Sequence, residues 1–591
     1  MSTVAKSLLA HAGLTAARTK GQPAALAGAE AALADGRTAE ALDLFRLAQL
    51  DAPADARVLC GVGDCLARLG RLGEAAAAVL AALEADGRNA SALALIGRIG
   101  AQVALAGGAA LPTRPGAKAL LAVFACDTVD HQQMLALALA YLQATPFARA
   151  LAGGGAAWLL SAEGAAVMAD PVLQAMLART VNLDPAIEAM LTELRRLVIL
   201  DRRWRDVPPA FLAALARQCR NNEWVWFETE AEQAALAELG TELAGRMEHR
   251  AKVGPELLAW ALYRPLARLP GFTELGRRIP VAEPATRAFA AEEVRAAREE
   301  AQARAEIPVL TALCGEVSER VAAQYEEHPY PRWLGLTPPE ADPAHAHVED
   351  VLVAGCGTGK QAVAAALTYG PQARVLAVDI SRASLAYAVR MTRRLKVTTV
   401  DYAQADILAL GGLDRRFDVV ECTGVLHHMD DPMAGWRVLA GLLKPGGTMR
   451  VSLYSRTARA AVIACRELIA RSGIGDDDQS IRRFRRELMA GAHPGAALAA
   501  TSADLYALSE VRDLLFHARE VQFDLPAIEA ALAELGLEFV DLGVPPAQAA
   551  RLLAEAGERP GESPLACWHR IEQHHPRLFE GMYRFRCRRP A

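Results

Sequence analysis

The chain of 591 residues is poor in aromatics, which make up 5% of it, and carries no excess charge: 64 basic residues stand against 69 acidic ones, a net of -5. That balance removes any global electrostatic pull toward nucleic acid or an anionic membrane. No segment reaches the roughly 18 unbroken apolar residues of a membrane span. The N-terminal stretch MSTVAKSLLAHAGLTAARTKG has one early lysine and an interrupted apolar run, unlike a secretory signal. The ten cysteines, scattered from Cys60 to Cys587, form neither a CxxC pair nor a Cys/His ligand spacing. This leaves reduced, mostly buried thiols and points to the cytoplasm. What is abundant is alanine within a 52% hydrophobic, 23% charged composition, which favours helices. The length calls for several domains.

A repeat comes first. Gly36, Ala41, Phe45, Ala48 and Pro53 recur 34 positions later as Gly70, Ala75, Val79, Ala82 and Gly87, and Gly63 recurs as Gly97. This period and residue set resemble the tetratricopeptide repeat, in which small residues let paired helices approach closely. Residues 1–106 are assigned to it; an ordinary alanine-rich pair of helical hairpins is the alternative. Residues 107–289 read as successive amphipathic helices with no legible chemistry. There the cluster Trp204, Trp224, Trp226 and Phe227 is expected to be core rather than a ligand surface. A charged helix, EEVRAAREEAQARAE, opens a connector at 290–346.

From His347 short β-rich runs (VEDVLVAGC, ARVLAVDI, FDVVECTGVL, TMRVSLY) alternate with helical stretches, and LEFVDLGV and GMYRFRCRR supply two late strands expected to close the sheet antiparallel. Buried strands alternating with helices predict a doubly wound parallel sheet. The fold class is therefore α + α/β: helical repeats, a helical middle region, then a Rossmann-like sheet over 347–591.

The strand Val351–Val353 runs into Gly355-Cys356-Gly357-Thr358-Gly359, a turn that admits close approach of a ligand. Asp379 ends the next strand, 24 residues after Gly355, where an acid accepts both hydroxyls of a ribose. With AGCGTG at 354–359, AVDIS at 377–381, QADIL at 404–408, FDVVECTGVLHHMDDP at 417–432 and LLKPGGTMRVSLY at 442–454, the chain resembles the class I S-adenosylmethionine-dependent methyltransferases. The resemblance covers Val351 to Tyr454 and implies S-adenosylmethionine as cofactor. It places Gly355, Cys356, Gly357, Thr358 and Gly359 along the methionine and ribose portion, Asp379 and Ile380 at the ribose, Asp406 and Ile407 at the adenine, and Cys422 and Thr423 beneath the cofactor. The family's acidic residue two positions before the first glycine is Val353 here, which leaves the cofactor's amino group to Gln361 or to the preceding segment. A dehydrogenase reading fails because its GxGxxG fingerprint would need glycine at Lys360.

Upstream, QYEEHPYPRW (324–333) resembles a segment seen ahead of such domains in bacterial repeat-methyltransferase proteins. Tyr325, Tyr330 and Trp333 are candidates for a lid, with linker packing as the alternative. His427 and His428 follow the fourth strand at the edge where such sheets bind ligands and are the candidate general bases. The segment 456–526 exceeds a simple crossover and reads as a helical insertion over the substrate. In it, His517 and Arg512 flank an apolar run, with Arg512 a candidate anion binder and a solvated helix face the alternative reading of DLLFHARE. His569, His574 and His575 lack a third ligand at metal spacing, so no metal is expected. A protein or peptide acceptor recruited by the repeats, a small-molecule O- or N-acceptor, and an inactive scaffold are the competing functions. Neither a nucleic-acid nor a membrane partner is indicated.

Overall fold

The computed structural model describes residues 22–105, 115–272, 281, 283–339, 345, 347–493, 495, 498, 502–557 and 559–591. The N-terminal stretch read above for a signal lies outside them. The chain divides into two compact units, one of 1–218 with 334–338 and one of 219–333 with 339–591.

In the first unit five helices follow one another: Gln22–Ala34, Thr38–Asp51, Ala56–Arg68, Leu72–Ala85 and Ala90–Leu105. The starts at Thr38 and Leu72, and those at Ala56 and Ala90, are each 34 residues apart, matching the sequence period. Gly36 and Gly70 occupy the same left-handed turn in successive copies, at φ 77° and 75°. A Cβ on Gly61 would lie 2.3 Å from the Phe45 ring, and one on Gly63 2.5 Å from Val79; the small residues are therefore where neighbouring helices close on one another. Asp55 accepts from the backbone N–H groups of Arg57 and Val58 and caps its helix. Among the described residues no single helix is long and apolar enough to cross a membrane. One helix pair, His131–Leu142 with Phe147–Gly153, passes by length and composition, but is bent by 89°.

The second unit is built on a seven-stranded sheet. Its strands are β1 (Asp350–Ala354), β2 (Arg374–Asp379), β3 (Val400–Gln404), β4 (Phe417–Thr423), β5 (Leu443–Leu453), β6 (Glu538–Leu542) and β7 (Tyr583–Arg588), in the spatial order β3-β2-β1-β4-β5-β7-β6. The first five run parallel. Of the two late strands only β7 is antiparallel to them: it pairs antiparallel with both β5 and β6, so β6 shares the direction of the first five. Central strands are apolar throughout because both faces are covered. Leu352, Val420 and Trp436 sit in one core, Val351, Val353 and Ala377 in the other. The edge at β3 is covered too: Leu310 N–H donates to Gln404 O, and Gln404 N–H to Pro308 O, which closes an otherwise open strand.

Residues 219–289, expected to belong to the helical middle, pack within the unit that holds the sheet. Arg220 pairs with Glu292 and Glu293 at 2.7 Å each. Leu508 N–H donates to Asn222 O, Ser509 N–H to Glu223 Oε2, and Arg482 Nε to Trp224 O. Glu223 and Trp224 are both left-handed at φ 56°, a strain of roughly 1–3 kcal/mol each that these contacts hold in place. A cut at 290 severs all of them. Trp204 and Trp226 are buried, as a core reading requires, while Trp224 and Phe227 are half-buried.

The insertion leaves the sheet at Ser455 and rejoins it at Phe523, where the two residues form a parallel bridge. Its helices Ala460–Ser472 and Asp478–Met489 lead into a turn of π-helix at Arg512–Phe516. Asp513–His517 are buried while Ala518 and Arg519 are exposed, so the solvated-face reading of DLLFHARE holds only at its end.

Candidate active site

The sheet reverses its winding between β1 and β4, and ligands bind at such a switch point beyond the carboxyl ends of the strands. The glycine turn leaves β1 there. Gly355 has φ 73° and Gly357 φ 50°, conformations that disfavour a Cβ. A Cβ on Gly355 would meet Val425 at 2.3 Å, and one on Gly357 would meet the Tyr330 carbonyl at 2.5 Å. Gly359 serves a different end: its Cβ position faces Ala388 and the Tyr402 hydroxyl, so this glycine lets a helix pack on the sheet rather than admitting a ligand.

Asp379 is buried at the end of β2, and its carboxylate accepts from Gly357 N–H at 2.8 Å and Ser381 N–H at 2.9 Å. Burial raises its carboxyl above the usual range despite these bonds. A carboxylate accepts about four hydrogen bonds, so two positions remain for a diol. Asp406 is anchored in the same way: Cys314 N–H and Leu408 N–H donate to its two oxygens, both at 2.9 Å, which fixes the turn after β3. Cys356 and Cys422 are buried in the two cores, and burial pushes the Cys422 thiol up to about 12. Ile380, Thr423 and Val425 keep accessible area.

Val353 pairs directly with Glu421 across β1 and β4. The acid absent from β1 thus stands one strand over, in register. Glu421 is buried, accepting from Gln361 Nε2 at 2.8 Å and Tyr369 OH at 3.0 Å, and Gln361 Nε2 also donates to Thr423 Oγ1 at 2.9 Å. With its amide nitrogen so engaged, Gln361 has its carbonyl oxygen left to accept an ammonium. The Glu421 contribution escaped sequence reading because register is not legible before the sheet is known.

The aromatic segment lies directly on the glycine turn. Trp333 is buried and donates its indole N–H to Thr358 O at 2.8 Å; Thr358 Oγ1 in turn donates to Pro331 O, and Tyr387 OH to Trp333 O at 2.6 Å. Trp333 is a fixed wall. Tyr325 and Tyr330 stack at 6.3 Å and turn toward the insertion, where Tyr325 OH donates to Asp513 Oδ1 at 2.8 Å.

That contact opens a second cluster. His428 and His517 stack with centroids 3.7 Å apart, His427 stacks on Tyr454 at 3.9 Å, and Arg459 lies 3.5 Å over the Tyr454 ring. Asp513 takes a second hydroxyl, from Tyr454 at 3.3 Å, and its Oδ1 lies 3.9 Å from His428 Nε2. Burial opposes its charge, but His428, His517 and the Tyr325 hydroxyl hold its carboxyl below the ordinary value. Burial lowers His427 well below an ordinary imidazole and His517 to about 3, so both are neutral at physiological pH. Both nitrogens of His427 are buried without a partner among the described residues. Asp504 is exposed and Glu510 half-buried; crowding by surrounding protein, then the neighbouring carboxylates, raises Asp504 to about 6 and Glu510 well above its usual value. Arg512 pairs with Asp478 at 3.1 Å and is buried, so it is not a free anion binder. Asp513 and Tyr454 are the members that sequence reading missed; Asp513 stands four residues before His517, one helical turn away.

A doubly wound sheet with a glycine turn on β1 and an acid ending β2 defines a nucleotide-cofactor domain. Comparison with known proteins makes this more specific: residues 351–447 match the family model described as a methyltransferase domain. This segment is therefore a methyltransferase domain, and its cofactor is S-adenosylmethionine. The chain is similar to an uncharacterised protein of Synechococcus sp., 27% identical over 271 residues, 40% of this chain and 63% of that one. It is also similar to the ubiquinone biosynthesis O-methyltransferase of Azotobacter vinelandii, 37% identical over 115 residues, 19% of this chain and 48% of the relative. The chain thus spans between about half and somewhat under two thirds of these relatives. Among solved structures, PKMT2 from Rickettsia typhi in complex with AdoHcy aligns with a TM-score of 0.31 and 19% identity, over 46% of this chain and 52% of that one.

Proposed function

We propose that the whole chain is an S-adenosylmethionine-dependent methyltransferase. The observation that carries this reading is the pairing of the Gly355–Gly357 turn with Asp379 at the switch point, inside the matched segment. In this reading Gly355 and Gly357 admit the cofactor against their backbone, Asp379 accepts the ribose hydroxyls beside Ile380, and the Gln361–Glu421 pair meets the ammonium in place of an acid at Val353. Ile407, buried after β3, closes the adenine side. Methyl transfer from a sulfonium needs little chemical activation, so in-line positioning and exclusion of water supply most of the rate. The buried His–Tyr–Asp cluster beyond β4 and β5 is where the acceptor is held. Isothermal calorimetry with S-adenosylhomocysteine is expected to show one site per chain; no binding refutes this reading.

The helical hairpins are read as tetratricopeptide-like repeats that recruit a protein or peptide carrying the acceptor, since stacked hairpins build a groove suited to a peptide. Likeness to an O-methyltransferase of ubiquinone biosynthesis favours a small-molecule acceptor as the second reading. Deleting 22–105 separates the two. Recruitment predicts a KM raised about tenfold or more with kcat for a short acceptor little changed, and an unchanged KM favours the small molecule.

A further inference from the structure

Two stacked imidazoles in the buried cluster are held in opposite tautomers by one residue. His428 Nδ1 lies 2.8 Å from the Arg519 carbonyl. A carbonyl only accepts, so Nδ1 carries a proton, and it is the neutral form of this ring that presents a lone pair at Nε2. The N–H of the same Arg519 donates to His517 Nδ1 at 3.1 Å. That nitrogen therefore holds the lone pair, and the proton of the neutral ring is on Nε2, which is buried with no partner among the described residues. His517 is 3% exposed and His428 6%. One ligand-type atom from each of His428, His517 and Asp513 lies within 4.8 Å of the others, and because both Nδ1 atoms turn to Arg519 in rings stacked 3.7 Å apart, the two Nε2 atoms lie on the opposite side together.

We propose, resting on the methyltransferase reading above, that the methyl acceptor is a hydroxyl oxygen, held by donating to His428 Nε2 and accepting from His517 Nε2–H. A hydroxyl has one proton and two lone pairs. The proton goes to His428, one lone pair takes the His517 N–H, and the second is free to attack. A neutral amine has a single lone pair, which the His517 N–H would occupy, and an ammonium has none. In the transfer the oxygen bonds to the methyl carbon as the carbon–sulfur bond breaks, the bonding pair stays on sulfur as a thioether, and the hydroxyl proton passes to His428 Nε2. The imidazolium so formed faces the Asp513 carboxylate at 3.9 Å, which the Tyr325 and Tyr454 hydroxyls hold in place. His428 is the catalytic base, His517 a binding residue and Asp513 a positioning residue.

The same three side chains also form a two-histidine, one-carboxylate set of the kind that binds metals. One feature favours the hydroxyl: the Arg519 N–H occupies His517 Nδ1, leaving a proton on Nε2.

The test uses the full chain with S-adenosyl-[methyl-13C]methionine and bacterial cell extract separated into protein and small-molecule fractions, reading the carbon shift of the transferred methyl group. An O-methyl signal is expected, and an N-methyl or S-methyl signal overturns the proposal. His428→Asn keeps a donor for the Arg519 carbonyl but no base. It should lower the transfer rate about 100- to 10,000-fold while S-adenosylhomocysteine affinity stays within about twofold. A rate within tenfold of the unchanged protein refutes the base. Excess EDTA should leave the rate unchanged; loss restored by zinc or magnesium assigns the cluster to a metal instead. Failure of the unchanged protein to bind S-adenosylhomocysteine would sink the methyltransferase reading itself, a result separate from any of these.

Discussion

Replacing Asp379 with alanine is expected to weaken S-adenosylhomocysteine binding by roughly 1.5–3 kcal/mol, the worth of hydrogen bonds to a charged group, or about ten- to hundredfold in Kd. The structure adds a second cost. The carboxylate also anchors Gly357 N–H and Ser381 N–H, so the alanine variant loosens the glycine turn as well as losing the ribose contact. Asp379→Asn separates the two, because the amide keeps one acceptor for the turn but cannot accept on both sides. Calorimetry should rank the affinities unchanged protein, then Asn, then Ala. An alanine variant that binds as tightly as the unchanged protein removes Asp379 from the cofactor site.

Gly357→Ala is expected to be as damaging by a different route. At φ 50° an alanine costs roughly 1–2 kcal/mol in backbone strain. Its Cβ would also stand 2.5 Å from the Tyr330 carbonyl, and overpacking against a fixed backbone costs typically 1–3 kcal/mol more. The Tyr330–Pro331 backbone then has to lift, taking with it the bonds between Thr358 and both Pro331 and Trp333. Both Tm and cofactor affinity should fall. Gly359→Ala is the control: its Cβ strikes Ala388 and Tyr402 inside the packed helix–sheet contact, so it should lower Tm with a smaller effect on affinity. Wild-type Tm and affinity in Gly357→Ala would show that the aromatic segment does not rest on the turn.

The glycine turn and the strand-end acid Asp379 were legible in order along the chain, because such features are local and have fixed spacing. In the second cluster His427, His428, His517 and Tyr325 were named singly, but their meeting at Asp513 was not. His428 and Asp513 are 85 residues apart and meet only through the buried π-helical turn. Reading DLLFHARE as a solvated face weighted the arginines beside and within it, Arg512 and Arg519, over its run of three apolar residues; Asp513 and Arg512 turned out to be buried because hydroxyls and Asp478 answer them. The boundary near 290 was misplaced for a related reason. Amphipathic helices on either side of residue 219 have the same composition, and what ties 219–289 to the sheet unit is a set of pairings with residues 478–509 that no local pattern announces.

Those pairings also impose a wait during synthesis. Glu223 accepts from a backbone N–H that lies 286 residues further along, at Ser509. At ribosomal rates of about 5–20 residues per second, that partner emerges roughly 15–60 seconds later. Throughout this interval the left-handed Glu223–Trp224 turn is held only by earlier partners, such as Cys219 O and Ala261 O for the two N–H groups of Trp224, and lacks its contacts with residues 482–509. Nascent chains arrested before residue 509 are therefore the form of this protein most exposed to chaperones and proteases, however stable the finished sheet.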